Sequence, residues 1–481
     1  MDTQHKVNLF DSNWGYIAVL VLVAGIYVSA FKLTTPYSYW VDELFAVVYS
    51  NSSFEDLHRF ILQEPNPPFY YLLLKGWISL FGDSEFSTRS LSWLFAVGSI
   101  YPLWKFSESY GSIFKICILL FFPSNMLFAY YANEARSYAM ALFFAALATT
   151  AYPYRYNQKV TYSFLLSCIC LSLTHYFGLI LAGLILIFCL FQNIRNQTDT
   201  LKIICASTIA MLWPVYHVTN GTILNLTGGR FWIKVNGVID TFEIAASGFV
   251  PHSVPFGPYI LIGQIIAAIS IALYVRYQSI KLGDDVSAIA LKGGLMLLCF
   301  LTLLATIDLY TPMSWKKYYI VLLPLITIVW ASSFSLLCEL FPRLQSPVLF
   351  LLSVFSLVAL LNSYEAVAAK TSYQDWKGTS EFMVENAQGR KLYFVTEHGW
   401  SKQFELVANF YIKKASHHRL HATAYVVGET IIEKPALVLF GQETDQNFEN
   451  LQQEMKKLGG MLAFPKLYDG GGYTPGVYAV D

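Results

Sequence analysis

The chain has 481 residues, 55% of them apolar and only 13% charged, with 32 basic and 32 acidic side chains. Ordinary soluble proteins are about a quarter charged, so this composition argues against a soluble globule. The mean hydropathy of +0.45 excludes intrinsic disorder, and no basic excess points to nucleic acid.

The apolar residues come in blocks, and a helix of about 20 mostly apolar residues crosses the hydrocarbon core of a bilayer. About eleven such blocks lie at 14–33, 84–104, 111–130, 136–153, 160–177, 178–192, 201–219, 256–275, 288–307, 318–340 and 346–363. The first lacks a small-residue cleavage site and reads as a spanning helix rather than a signal peptide. From residue 364 the charges return. The expected fold is therefore an α-helical polytopic membrane protein of about 11 transmembrane helices, residues 1–363, with a small C-terminal α/β domain, residues 364–481.

Orientation follows from the links. Lys6, Lys105, Lys115, Arg155, Lys159, Arg195, Lys202, Arg276, Lys281, Lys292 and Arg343 fall near helix ends on one side. Short loops rich in Lys and Arg stay cytoplasmic, which sets the N-terminus inside and the long loops and tail outside. In a bacterium this is the inner (plasma) membrane, with the tail in the periplasm. The outer loop 34–83 contains Pro67–Phe81, apolar but too short to span comfortably and aromatic at its ends, which fits an interfacial helix. A second outer loop runs over about 220–255.

In the tail, 390–396, 423–427, 435–441 and 476–480 read as strands, and 401–414 and 445–457 as helices, a β-α-β-β-α-β order. The seven cysteines all lie in or beside spanning segments, and their spacing supports neither a disulfide framework nor a thiolate metal site. His417, His418 and His421 read as a surface cluster.

Because charges are scarce, those at the outer surface stand out. Asp42 and Glu43 follow the first span directly. Ionisable groups at a bilayer edge are costly and usually face a cavity or a partner. Adjacent carboxylates point in different directions, so one can reach a substrate hydroxyl as a base while the other orients it; the plain alternative is that Asp42 caps the helix beginning there. Arg89, the turn Asn133-Glu134-Ala135-Arg136-Ser137-Tyr138, the pair His175-Tyr176, and Lys316-Lys317-Tyr318 fall on the same side. Singly, each Lys or Arg reads as snorkelling to head groups. Jointly, acids and cations on one side suit an anionic lipid head group, because fixed cations stabilise a phosphate leaving group as its charge grows. His175 binds a metal, activates an acceptor, or packs. No Gly-rich phosphate loop is present, so a nucleotide-sugar donor is not supported.

These residues, in this order, resemble the bacterial GT-C glycosyltransferases, the protein O-mannosyltransferase and aminoarabinose transferase superfamily, glycosyltransferase family 39-like. The resemblance runs through Asp42-Glu43, the segment Asn66-Pro67-Pro68-Phe69, Arg89, the E-x-R-x-Y turn Glu134–Tyr138, Thr174-His175-Tyr176, Lys317-Tyr318 with Pro324, and Tyr373-Gln374-Asp375-Trp376-Lys377. It covers about 375 residues. The family usually has His where Asn66 stands, and Arg where Lys317 stands, which keeps the charge and loses the bidentate fork.

The resemblance implies a sugar donor linked to polyprenyl phosphate and inverting transfer of a hexosyl or pentosyl group. The acceptor would be lipid A, a polysaccharide, another lipid or a protein on the periplasmic face. It implies that Asp42 is the base, supported by Glu43. Arg89, Arg136, Lys316 and Lys317 would hold the lipid phosphate, and Glu134, Tyr138, His175 and Tyr318 would position substrate. No metal ligand set is identified, and a divalent-metal requirement stays open. Two alternatives from other classes are a transporter or flippase of lipid-linked saccharides and a non-catalytic envelope-assembly subunit. A transporter calls for polar residues or broken helices near mid-membrane, whereas the charges here cluster at one surface.

Overall fold

In a bilayer every backbone N–H and C=O must find its partner within the segment, which makes helices of the long apolar runs. The structure, a computed structural model, describes residues 13–34, 37–155, 158–220, 233, 235, 237–250, 256–278, 284–369, 374–396, 401–441, 445–464 and 475–481. Lys6, Lys281, Tyr373 and parts of the 220–255 loop lie outside the described residues.

Among the described residues, seven helices are long and apolar enough to cross a membrane: Asn13–Leu33, Tyr176–Asn193, Gln197–Thr219, Gly257–Tyr277, Asp285–Asp308, Lys316–Leu340 and Pro342–Ala369. Phe69–Phe81, Ser112–Ser124, Tyr138–Ala151 and Tyr162–Ser172 are shorter apolar helices. Two expected spans are divided. The 84–104 block forms Glu85–Gly98 and Ile100–Ser107; Pro102 has no N–H to offer the Gly98 carbonyl. The 111–130 block breaks after Pro123 into Ser112–Ser124 and Met126–Tyr131, and the Asn125 side chain accepts from the Leu127 N–H at 2.9 Å to cap the second piece. Hydroxyls buried in the helices, such as Thr149, Thr327 and Ser332, donate to the carbonyl four residues earlier.

The chain forms two compact units, and neither is one continuous stretch. The first comprises Met1–Thr34, Phe54–Trp77 and Thr88–Ala368; the second comprises Thr35–Ser53, Ile78–Ser87 and Ala369–Asp481. The sequence reading assigned all of 34–83 to the membrane part, whereas two pieces of it group with the C-terminal residues.

The first unit has two distinct ends. At one, the Lys292 ammonium donates to the Tyr154 carbonyl at 2.6 Å and to Gln192 Oε1 at 2.5 Å, and Arg155 pairs with Asp285 at 2.5 Å. These links join the end of Tyr138–Ala151, the end of Tyr176–Asn193 and the start of Asp284–Asp308. The opposite ends of these three helices carry Arg136, His175 and Asp308. The 18 residues of Tyr176–Asn193 separate the two ends by about 27 Å at 1.5 Å per residue.

The second unit is built on a five-stranded mixed sheet: β1 Lys391–Val395, β2 Thr423–Tyr425, β3 Ala436–Phe440, β4 Met461–Phe464 and β5 Gly476–Val480, in the order β2-β1-β3-β5-β4. β1 lies parallel to β2 and β3, and β5 lies antiparallel to β3 and β4. Every residue of β3 is buried, as befits a central strand covered on both faces. The strands and helices expected from the sequence are present, and two elements are added: β4 and the helix Trp376–Glu385, which Asp375 caps by accepting from the Gly378 N–H at 2.8 Å.

The first-loop pieces are tied into this unit by named bonds. Ser38 Oγ accepts from the Lys377 N–H at 3.1 Å, and Gln374 Oε1 accepts from the Val41 N–H at 2.9 Å and from the Trp376 indole at 3.0 Å. The Tyr411 hydroxyl accepts from the Tyr39 N–H at 2.9 Å and donates to Glu85 at 2.8 Å. Burial raises the Tyr411 phenol well above its ordinary pKa, so this bridge stays protonated.

One close approach in the first unit sets a site boundary. A Cβ on Gly178 would lie 2.7 Å from the Leu171 carbonyl oxygen, where the helices Tyr162–Ser172 and Tyr176–Asn193 meet. Gly178→Ala is expected to lower stability by about 1–3 kcal/mol. The thermal midpoint of detergent-solubilised protein measures this, and an unchanged midpoint would show that the joint spreads freely.

Candidate functional site

The site in the first unit starts from a chain break in hydrogen bonding. Pro67 and Pro68 follow the helix Phe54–Gln63 and have no N–H, so the next donor is Phe69. Its N–H reaches the Leu173 carbonyl at 3.1 Å, which ties this segment to the turn before His175. Just upstream, the Glu64 carboxylate is buried. Its Oε1 accepts from Asn66 Nδ2 at 2.8 Å and from Arg136 Nη2 at 2.8 Å. The Glu64 and Arg136 side chains are only 9% and 5% exposed. A buried charge is tolerated when it is paired and hydrogen-bonded, and the Arg136 guanidinium also lies 5.9 Å from the Tyr71 ring centre.

Arg136 sits in a tight turn in which its own N–H meets the Glu134 carbonyl at 2.6 Å. Ser92 Oγ donates to the Arg136 carbonyl at 3.4 Å and lies 3.1 Å from the Tyr70 hydroxyl. Arg89, 1% exposed, precedes Ser92 by three residues on one helix, so the two share a face.

The facing wall is aromatic and cationic. The Lys317 ammonium, on a 6% exposed residue, lies 5.3 Å from the Tyr138 ring centre and 5.7 Å from that of Tyr318. His175 packs 5.9 Å from Tyr138 and 5.2 Å from Tyr318, centre to centre. Its Nδ1 accepts from the Phe177 N–H at 3.1 Å and caps the helix Tyr176–Asn193. The charges of Arg136 and Lys317 both reach His175. Lys316 diverges from Lys317: its ammonium meets the Met126 sulfur at 3.5 Å.

Two buried groups outside this wall hold it in place. Asp308 accepts from the Met313 and Ser314 N–H groups at 2.8 and 3.1 Å and from Thr241 Oγ1 at 2.7 Å. It thereby pins the loop that delivers Lys316 and Lys317. His217 Nε2 donates to the Leu62 carbonyl at 3.0 Å, and its Nδ1 accepts from the Tyr176 hydroxyl at 2.6 Å. That bridge couples the Glu64 segment to the His175 turn.

Asp42 and Glu43 belong to the second unit, in the first turn of the helix Val41–Asn51. Glu43 is fully buried and its Oε2 accepts from the Trp40 N–H at 3.3 Å, so Glu43, not Asp42, reaches back over the helix start. Asp42 is half-buried beside the positive end of that helix.

Of the residues singled out from the sequence, the first unit gathers Arg136, Tyr138, His175, Lys317 and Tyr318, with Glu134 buried in the same turn and Arg89 on the braced helix face. Lys316 points elsewhere. Sequence reasoning passed over Glu64 and His217. The first signals itself as an acid two residues ahead of Asn66-Pro67-Pro68; the second carries no local signal, since its partners are 155 and 41 residues away. Among the described residues, no three His, Cys, Asp or Glu side chains come together to hold a metal.

No family model matches the chain, and no curated protein matches it by sequence. Solved structures do. The chain is similar to ArnT from Cupriavidus metallidurans in the apo state, with a TM-score of 0.58 and 12% identity over 97% of this chain and 98% of that one. It is similar to the same ArnT bound to undecaprenyl phosphate, with a TM-score of 0.57 and 12% identity over 98% and 99% of the two chains. An oligosaccharyltransferase from Archaeoglobus fulgidus gives a TM-score of 0.43 at 11% identity over 95% and 73%. The chain thus has the GT-C fold of ArnT, a multi-pass helical membrane architecture with a small C-terminal α/β unit.

Proposed function

We propose that the chain is an integral-membrane glycosyltransferase of the inner membrane that moves a sugar from a polyprenyl-phosphate donor to an envelope acceptor on the periplasmic face, with inversion. The observation that carries this reading is the gathering of Lys317, Arg136, His175, Tyr138 and Tyr318 at one end of the spanning helices, in a chain whose fold is that of an ArnT that binds undecaprenyl phosphate. Cations at a membrane edge fit a lipid phosphate, and a GT-C fold supports transfer from it.

In this reading Asp42 takes the proton from the acceptor hydroxyl as that oxygen attacks the anomeric carbon. The bond from that carbon to the phosphate oxygen breaks on the opposite face, and polyprenyl phosphate departs with its charge. Phosphate is a good leaving group and needs cations rather than an acid. Lys317 and Arg89 are the leading candidates for that task. Arg136 shares its charge with Glu64 and acts chiefly by shaping the pocket, while Lys316 supplies field from further off. Glu43 keeps the start of the Asp42 helix in register, and Glu134, Tyr138, His175 and Tyr318 position the sugar. The acceptor is lipid A, a polysaccharide, another lipid or a protein.

Asp42→Asn is expected to reduce sugar transfer at least 100-fold, with the melting temperature and binding of undecaprenyl phosphate kept; near-normal transfer, followed by mass spectrometry of the envelope glycans, would remove Asp42 as the base. Lys317→Ala should weaken undecaprenyl phosphate binding by about tenfold or more, because a hydrogen bond to a charged group contributes about 1.5–3 kcal/mol. Arg136→Ala should destabilise the fold by about 3–5 kcal/mol by leaving Glu64 buried and unpaired. The double variant Glu64→Gln/Arg136→Met should recover most of that loss in a thermal melt; equal loss in both would show that the pair is not coupled.

A further inference from the structure

The second unit contains a cavity that the reading above does not use. It holds about 200 Å³ and is lined by Glu85, Lys377, Glu381, Tyr411, Lys414 and Ala415, all within that unit. Helical spacing builds it. Lys377 and Glu381 stand one turn apart on one face of the helix Trp376–Glu385. Tyr411, Lys414 and Ala415 share one face of the helix Ser401–Ala415, which packs against it. Glu85 opens the helix Glu85–Gly98. The hollow is thus walled by charges and a phenol rather than by aliphatic side chains.

Some of these groups already have partners. The Tyr411 hydroxyl donates to Glu85 Oε1 at 2.8 Å, and the Lys414 ammonium pairs with Asp83 Oδ1 at 2.8 Å. Lys377 and Glu381 are opposite charges at i and i+4, yet among the described residues their side chains make no ion pair or hydrogen bond. Lys377 therefore offers hydrogen-bond donors to an occupant, and Glu381 offers acceptors. The wall carries two positive and two negative side chains, and one of the positive charges already faces Asp83, so no net field favours a phosphate. A metal cation would face the Lys377 ammonium. An apolar ligand would strand the charges without water. An uncharged group that gives and takes several hydrogen bonds, such as a sugar ring with its hydroxyls, matches the wall. The cavity has room for about six or seven waters at ~30 Å³ each, which is space for one such ring.

We propose that this cavity binds a sugar unit of the acceptor, and that the acceptor is therefore an uncharged oligosaccharide chain rather than a protein. The inference rests on the transferase reading above and narrows its acceptor. Position supports it. Tyr411 accepts from the Tyr39 N–H at 2.9 Å, and the Lys377 N–H donates to Ser38 Oγ at 3.1 Å. From Tyr39 to Asp42 the chain reaches at most about 11 Å. A sugar in the cavity thus lies against the wall that holds the segment leading to the proposed base. The remainder of a short saccharide chain covers the distance to the hydroxyl that Asp42 deprotonates.

The test uses the purified full-length protein and titrates it with neutral oligosaccharides released by mild acid from the envelope of the cells that make it. The bisphosphorylated glucosamine disaccharide of lipid A, a Ser/Thr-rich peptide and undecaprenyl phosphate are titrated alongside. At least one neutral oligosaccharide should bind saturably. Lys377→Met and Glu381→Gln should each weaken that binding about tenfold, the worth of one hydrogen bond to a charged group. Ala415→Phe, which fills the cavity, should abolish it. In Lys377→Met and Glu381→Gln the affinity for undecaprenyl phosphate and the melting temperature should stay unchanged, since neither side chain has a partner among the described residues. Binding that survives all three variants, no binding of any neutral oligosaccharide, or tighter binding of the phosphorylated disaccharide or the peptide would overturn the subsite and leave the transferase reading standing. Failure of the unaltered protein to bind undecaprenyl phosphate would instead overturn the transferase reading, and the acceptor role of the cavity with it.

Discussion

The end of the first unit that carries Arg136 and His175 depends on one buried ion pair, Glu64 with Arg136. In a medium of low dielectric, neither charge is tolerable alone, and together they join the 133–137 turn to a stretch about 70 residues earlier, the approach to Pro67-Pro68 and, through Tyr71, the helix Phe69–Phe81 that follows it. Asn66 adds a second donor to the same carboxylate oxygen. The pair therefore sets where the turn carrying Asn133, Glu134 and Tyr138 can sit. It also explains how a chain whose family resemblance expects His at position 66 functions structurally with Asn there: the amide's task is to satisfy Glu64.

Other buried polar groups extend the same logic outward. Asp308 is satisfied by two backbone N–H groups and a threonine, and these bonds tie the loop before Lys316 to the end of the helix Asp284–Asp308. His217 uses both ring nitrogens to fasten Leu62 to Tyr176. His175 spends one nitrogen on the backbone and keeps the other for something else.

The second unit gives the C-terminal residues a physical task. The backbone just ahead of Asp42 is held by Gln374, the Lys377 N–H bonded to Ser38, and the hydroxyl of Tyr411. A tail that reads from sequence as an appended α/β domain is therefore part of what fixes the start of the Asp42 helix. The Asp375-Trp376 stretch noted for its resemblance turns out to be a helix cap and an indole hydrogen bond on Gln374.

Much was legible from the chain alone, because bilayer physics is local: apolar runs became helices, and the cations near helix ends divided between the two ends. The strands β1, β2, β3 and β5 were readable from β-branched and aromatic runs bounded by turns. β4 was not, since four apolar residues after a glycine pair become a strand only by pairing with β5. Among the site residues, Arg136, Tyr138, His175, Lys317 and Tyr318 could be named because charges and rings are conspicuous among aliphatic residues. What only the tertiary structure decided is their partnership: that Arg136 is neutralised by Glu64, that Lys316 turns away to Met126, and that His217 ties two segments together. The physical reason is that a side chain's type is written in the sequence, whereas its partner is chosen across distances of tens to hundreds of residues by the packing of helices that no local pattern encodes.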